Sequence, residues 1–389
     1  DYRAAALALP RTATGRVPDK YGVGWAVASA PFYVIADGAV AGGDALGWWR
    51  LRRDGWNPVY QIGLQLGHAA LALAALWLAA GAIVAWLRVD RATAWTGVTT
   101  VWAASPLLYY QTVDLSMAHN VAFFAVALLA LALTRARGNP AAARWWWLAG
   151  AGWGLAVIAR FETGVFGLLI AAAIFSRRPA QEPAGAAMEN PSASAAGRGR
   201  FIGPAVLCAI GAAPFVAVQL VAWRIVYGRW LVFGYGAEGE AFHWAKPNLW
   251  NSWFSPWHGL FYWHPFLLAG LAGLIAWAWR ARGAALVLAA IFAITWYVNS
   301  AWWCWWFASS FGNRAYDAAL LPLMAGTAWL FASARNRWGP VLWGAALTAA
   351  AWNFYLVLLY RTAAIPHNAP VTWWRMLEAG SLLPAAMHF

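Results

Sequence analysis

Apolar positions come in long unbroken stretches, at Gln61–Leu87, Ala92–Tyr110, Met117–Thr134, Trp145–Phe175, Ile202–Trp223, Pro265–Trp279, Ala284–Ser300, Ala318–Ser333 and Trp338–Tyr360. A helix rising 1.5 Å per residue needs about 20 such residues to cross roughly 30 Å of hydrocarbon. Most of these runs therefore predict membrane helices. Trp145–Phe175 is too long for one span, at about 46 Å, and Arg160, Glu162 and Gly164 interrupt its middle. It predicts two short helices in a hairpin, with Arg160 and Glu162 at the tip. Counting both halves gives an all-α polytopic integral membrane protein of about ten transmembrane helices, with a further first helix expected upstream. The opening residues 1–60 alternate short apolar pieces, such as Gly24–Ala36, with polar turns. Twelve to fourteen apolar residues are too few to cross, so these pieces predict interfacial helices in an outer loop.

Charge orients the runs. Five connections, Arg88–Arg91, Arg135–Arg144, Ser176–Arg200, Arg280–Arg282 and Arg335–Arg337, fall on one side and hold 13 of the 27 basic residues, but only Asp90, Glu182 and Glu189 of the acids. The positive-inside rule makes that side cytoplasmic. Residues 176–200, rich in Ala, Pro, Gly and Ser, read as a cytoplasmic linker. The other side receives residues 1–60, the outer loops 224–264 and 301–317, and a tail at 361–389, around a transmembrane domain spanning 61–360. Eleven of the 14 acids belong to that face.

Composition narrows the class. Of 389 residues, 62% are hydrophobic and 11% charged, and the mean hydropathy is +0.53, which excludes a water-soluble chain. The net charge of +13 comes from residues scattered between spans, as expected of topology signals and contacts to anionic lipid; nucleic acid is not an expected partner. Cys208 and Cys304 give no reason to assume a disulfide. Thirty-two tryptophans fit an interfacial aromatic belt, and Trp244, Trp250, Trp253, Trp257 and Trp263 in one outer loop also suit the face of a sugar or an isoprenoid chain. The sequence has no GxxxxGK[ST], HExxH, CxxC or G-x-S-x-G motif. No metal set is defined, although a divalent metal shared between distant loops stays open.

Ionisable residues at membrane edges are costly and are either paired or functional. In Pro18–Trp25, Asp19 and Lys20 meet Tyr21 and glycines, and can serve a site or solvate a loop. In Tyr109–Asn120, Asp114 lies in a turn between spans with His119 nearby, and can do chemistry or cap a helix. Arg160 and Glu162 can pair with each other, or Arg160 can offer its fork to phosphate beside the start of the second half-helix. Ser255–Trp263, with Trp257 and His258, and Trp305–Arg314, with Asn313 and Arg314, supply donors and glycines for close approach, or pack as loops.

Taken in order, Lys20–Trp25 with Pro31 and Phe32, Asp114 with its serine and aromatics, Gly154–Arg160, Ser255–Trp263 and Ser310–Arg314 resemble the GT-C superfamily of membrane glycosyltransferases, in the branch of bacterial protein O-mannosyltransferases and the lipid A aminoarabinose transferase. That resemblance implies a polyprenyl-phosphate-linked sugar donor, an extracytoplasmic lipid, glycan or protein acceptor, and transfer with inversion at the periplasmic face of a bacterial inner membrane. It implies Asp1, or a carboxylate upstream of it, as the base that takes the acceptor proton, with Asp114 as the second outer-loop catalytic carboxylate. It further implies Asp19, Lys20 and Tyr21 at the donor phosphate, joined on charge grounds by Arg160 and Arg314, and Glu162, His119, Trp257, His258 and Asn313 around the substrate. A transporter or flippase of polyprenyl-linked glycans is the alternative.

Overall fold

The computed structural model describes residues 10–175, 193–235, 240–334 and 338–382. They form α1 (Gly24–Ala45), α2 (Pro58–Leu87), α3 (Arg91–Ala103), α4 (Pro106–Thr112), α5 (Ala118–Gly138), α6 (Ala143–Ala159), α7 (Gly167–Phe175), α8 (Ala193–Tyr227), α9 (Leu249–Phe254), α10 (Leu260–Trp263), α11 (Leu267–Ala281), α12 (Ala284–Ala301), α13 (Leu320–Ser333), α14 (Gly339–Arg361) and α15 (Trp373–Ala379), with 3-10 turns at Phe161–Phe166, Arg314–Ala319 and Gly380–Leu382. Among the described residues the β pairing is confined to an isolated antiparallel bridge between Phe242 and Trp302.

The chain is an all-helical membrane protein. Among the described residues seven helices are long and apolar enough to cross a bilayer: Gly24–Ala45, Pro58–Leu87, Ala118–Gly138, Phe201–Tyr227, Ala284–Ala301, Arg314–Ser333 and Gly339–Arg361. Their outward faces carry large apolar side chains, including Leu66, Leu73 and Trp77 on α2, Ile210 and Ile225 on α8, and Leu347 and Phe354 on α14. Such faces are stable only against lipid.

Local sequence explains where the helices stop. Asn57 caps α2 by accepting from Val59 N at 2.9 Å, and Pro58 occupies its first turn. Asp90 caps α3 through Thr93 N at 2.8 Å. Ser105 and Pro106 split the expected Ala92–Tyr110 span into α3 and α4, because proline disfavours helical geometry in the residue before it. The freed carbonyls of Ala103 and Ser105 are taken by Asn353 Nδ2 from α14, at 2.8 and 2.9 Å.

Two expectations change. The pieces read as interfacial helices within 1–60 include one continuous 22-residue helix, α1, whose polar Ser29, Asp37 and Asp44 interrupt its apolar pattern without breaking it. Its Ser29 hydroxyl meets His68 Nε2 of α2 at 2.8 Å. The break at Arg160 lies where the sequence placed it, with α6 packed on α5 and α8 and α7 on α12, α5 and α8. From Ala193 onward the segment read as a linker is already the first turns of α8.

Small residues set the helix crossings. A Cβ on Gly150 of α6 would sit 1.9 Å from Cys208 O of α8, and one on Gly273 of α11 would sit 2.2 Å from Gly326 O of α13. Without a hydrophobic force between helices in lipid, backbone approach of this kind is what holds them. The bundle is thus a group of α1, α2, α5, α6 and α8 and a group of α3, α11, α12, α13 and α14, joined where α2 meets α3 and where α5 meets the 314–319 turn.

Candidate functional site

A guanidinium cannot continue an apolar helix through hydrocarbon without a partner, and α6 ends at Arg160, whose backbone turns extended at φ −151° and ψ 115°. Thr163 then folds the chain back, its hydroxyl donating to Arg160 O at 2.8 Å. The side chain, 19% exposed, pairs through Nε with Glu162 Oε1. Its Nη1 lies 2.9 Å from His119 Nε2 and 3.2 Å from His119 Nδ1. Among the described residues no hydrogen-bond partner takes Nη2.

His119 stands in the first turn of α5 and is 3% exposed. Its Nδ1 is 3.3 Å from Asp317 Oδ2, and Asp317 is 1% exposed, on the 314–319 turn that packs against α5. Neither carboxylate oxygen of Asp317 has a hydrogen-bond partner among the described residues. The cations whose fields reach it are Arg160 and Arg314. Tyr110 backs the arrangement, with its ring 4.9 Å from that of His119 and its hydroxyl accepting Phe311 N at 2.9 Å.

The Lys20 arm joins from another direction. A Cβ on Gly22 would meet Ile158 O at 2.1 Å and one on Gly24 would meet Ala159 N at 2.3 Å, so glycine lets this segment lie on the end of α6 beside Arg160. Lys20 Nζ is 3.1 and 3.2 Å from the two Glu240 oxygens, and stands 5.8 and 5.7 Å from the ring centroids of Tyr21 and Tyr235. Burial pushes the Tyr235 hydroxyl up to about 12, and Tyr235 lies within the fields of Arg160 and Glu162. The loop is pinned by His243 N donating to Ala301 O at 2.6 Å and Trp303 N to Ala241 O at 3.0 Å. Two of the cations thus arrive with an acid of their own, Lys20 with Glu240 and Arg160 with Glu162.

Lys20, Tyr21, Arg160, Glu162, His119 and Arg314 are therefore brought to one end of the bundle. The other candidates fall elsewhere. Asp19 is exposed and shapes the turn, accepting Tyr21 N at 3.0 Å. Asp114 accepts Ser116 Oγ at 2.6 Å, and its field falls on Tyr109 and Tyr360; among the described residues no hydrogen bond or ion pair ties it to Arg160 or His119. Trp257 packs on Trp306 at 4.3 Å, and His258, at a left-handed φ of 57°, contacts Trp306 O through Nδ1 at 2.9 Å. Burial lowers His258 to about 4 and His264 to about 3, so both rings are neutral. Asn313 Nδ2 donates to Ser252 O at 3.4 Å and Trp305 O at 3.2 Å, holding two loops together. Asp1 lies outside the described residues.

Asp317, Glu240, Tyr235 and Tyr110 are the members that sequence reasoning missed. Asp317 carried a readable signal, an acid three positions after Arg314 at the mouth of an apolar run. Glu240 and Tyr235 carried none, since their loop has no periodicity. Among the described residues no three His, Cys, Asp or Glu side chains converge to hold a metal ion, and no step below is routed through one. An apolar cavity of about 560 Å³ lies apart from the cluster, between α14 and α15, with Phe266, Trp352, Trp373 and Leu377 on its walls. No protein-family model, curated protein or solved structure matches this chain.

Proposed function

We propose that this chain is a membrane glycosyltransferase that takes a sugar from a polyprenyl-phosphate donor and passes it, with inversion, to a lipid, glycan or protein hydroxyl. The observation that carries this reading is Arg160: a part-exposed guanidinium at the end of a membrane helix, held at Nε and Nη1 and lacking a described partner at Nη2, with Lys20 and Arg314 close by. A lipid phosphate reaches such a site by moving sideways through the bilayer, and a guanidinium fork suits its oxygens.

In the reaction the acceptor oxygen bonds to the anomeric carbon as the bond from that carbon to the phosphate oxygen breaks, with the electron pair leaving on phosphate. Arg160, Arg314 and Lys20 stabilise the charge gathering there. A carboxylate takes the acceptor proton, and Asp114 or an acid at or before Asp1 fills that role. The reading includes a topology of about ten spans with the site on the extracytoplasmic face of a bacterial inner membrane, supported by the basic residues in the alternate loops.

The test is release of polyprenyl phosphate from a panel of polyprenyl-phosphate sugars by the chain in liposomes, beside Arg160→Ala and Asp114→Asn. Turnover lost in folded Arg160→Ala supports the transferase. Labelled lipid crossing the bilayer without turnover replaces it with a flippase.

A further inference from the structure

A lysine acts at the end of a flexible four-carbon stem, so what it can reach is set by where its backbone is held. Lys20 lies in the loop before α1, and a loop has no ladder of its own to hold it. The holding comes from α8. Its last turns present Gln219, Trp223 and Tyr227 at a spacing of four, so the three side chains share one stripe of the helix.

Gln219 is 3% exposed on a helix whose Val218, Val221 and Ile225 face outward. A polar side chain on such a helix is costly unless it is bonded. Its Oε1 accepts Val23 N at 2.9 Å, meeting a backbone N–H at the start of α1, where no capping side chain stands. About two turns further on, the Tyr227 hydroxyl donates to Asp19 O at 2.8 Å and accepts Asp19 N at 3.1 Å, gripping both backbone groups of one residue. Trp223, between them, sets its ring 5.7 Å from that of Phe161, the residue after Arg160. Lys20 thus lies between two points anchored to α8, Asp19 and Val23, on the stripe that also touches the neighbour of Arg160. A Cβ on Gly234 would stand 2.8 Å from Lys20 Cα, so a second loop lies against the same backbone.

We infer that Gln219 and Tyr227 are positioning residues, which hold the Lys20 backbone on α8 and so place Lys20 beside Arg160 at the phosphate of a membrane-borne ligand. This rests on the reading of Lys20 as a phosphate contact. They act through the backbone of Asp19 and Val23, not through the ammonium itself. A role confined to tying down the arm before α1 would lower stability on their loss, but would leave the response of Lys20 to phosphate in place.

Lys20 and Lys246 are the chain's two lysines, so lysine carrying a carbon isotope at Cε gives two NMR signals from the full chain in nanodiscs, and Lys20→Ala assigns them. The rings of Tyr21 and Tyr235 beside Lys20 Nζ set its signal apart. A polyprenyl phosphate, and separately inorganic phosphate, is titrated into the wild-type chain, Gln219→Leu, Tyr227→Phe, Lys20→Ala and Gln219→Leu combined with Lys20→Ala, with thermal melting recorded for each. In the wild-type chain the Lys20 signal is expected to move as phosphate binds. In Gln219→Leu it should lie closer to that of Lys246 before any addition, with affinity about tenfold lower, and Tyr227→Phe should do the same to a lesser degree. The double variant should bind no more weakly than Lys20→Ala, since residues acting through one group are not additive. A Lys20 signal unchanged in both single variants, or losses that multiply in the double, overturns the inference and leaves the phosphate site standing, even where melting falls. Should Gln219→Leu fail to fold, Tyr227→Phe, which removes one oxygen at a part-buried position, reads the same anchor, and a wild-type signal and affinity there overturn it equally. The same dependence on variants with inorganic phosphate supports the inference with the anion alone as ligand. Dependence seen with polyprenyl phosphate only supports it with the lipid headgroup as source. A wild-type chain that binds polyprenyl phosphate with its Lys20 signal unmoved overturns the inference and keeps the Arg160 site, whereas one that binds neither probe removes the function as well.

Discussion

Gly22 lies so close to Ile158 that a Cβ on the glycine would stand 2.1 Å from the Ile158 carbonyl oxygen. The contact is backbone to backbone, and neither side can rotate away. Gly22→Ala therefore has to lift the Lys20–Gly24 segment off the end of α6, two residues from Arg160. Overpacking of this kind costs about 1–3 kcal/mol. Expected are a lower melting temperature in detergent and weakened phosphate binding in the same variant. Gly38→Ala, at a position with open space around it, should leave both unchanged.

Asp114 and Arg160 should separate by assay. Asp114 is bonded to Ser116 and belongs with Tyr109 and Tyr360, whereas Arg160 belongs with His119 and Glu162. Asp114→Asn is expected to keep polyprenyl-phosphate affinity within about twofold, while Arg160→Ala loses tenfold or more, on the order of 1.4 kcal/mol. Equilibrium binding to both variants in nanodiscs checks this, and equal losses would contradict the separation.

Acid should destabilise the protein through its loop histidines. His258 is lowered to about 4 and His264 to about 3 by burial, against about 6.5 when unfolded. Between those values the unfolded chain binds more protons than the folded one, so stability is present above about pH 6.5 and is lost as pH falls toward 4. Melting temperatures between pH 7 and pH 4.5 should fall, and His258→Gln should flatten the part of that slope that His258 causes.

Asn353 holds the break between α3 and α4 by donating to both Ala103 O and Ser105 O, and is itself wholly buried. Asn353→Leu leaves two carbonyls unmet in an apolar setting and should cost about 1–3 kcal/mol. Thr348→Val, on the exposed side of the same helix, should cost well under 1 kcal/mol. Thermal melting of the two variants side by side is the check.

The helical membrane character was legible because it depends on run length alone, and the break at Arg160 was legible because a charged pair interrupts a run too long for one span. Helix α1 was not, since its serine and two aspartates look like interruptions until Ser29 is seen to meet His68 and Asp37 to accept from Tyr60 at 2.5 Å. Lys20, Arg160 and His119 could be picked out as ionisable residues near membrane edges. That Asp317 sits behind them could not, because it depends on how the 314–319 turn packs against α5, and sequence carries no record of that distance. Glu240 meets Lys20 across 220 positions, through a loop in which nothing marks it as a partner.

Lys20 and Arg160 each meet the solvent already bonded to a glutamate. The mouth of the site therefore projects little long-range attraction into water, and an anion that enters exchanges places with a carboxylate. Added salt has little net field to screen there. Capture of a ligand should then follow its density within the bilayer plane, and its rate should change little across the range of ionic strength that slows electrostatically steered encounters.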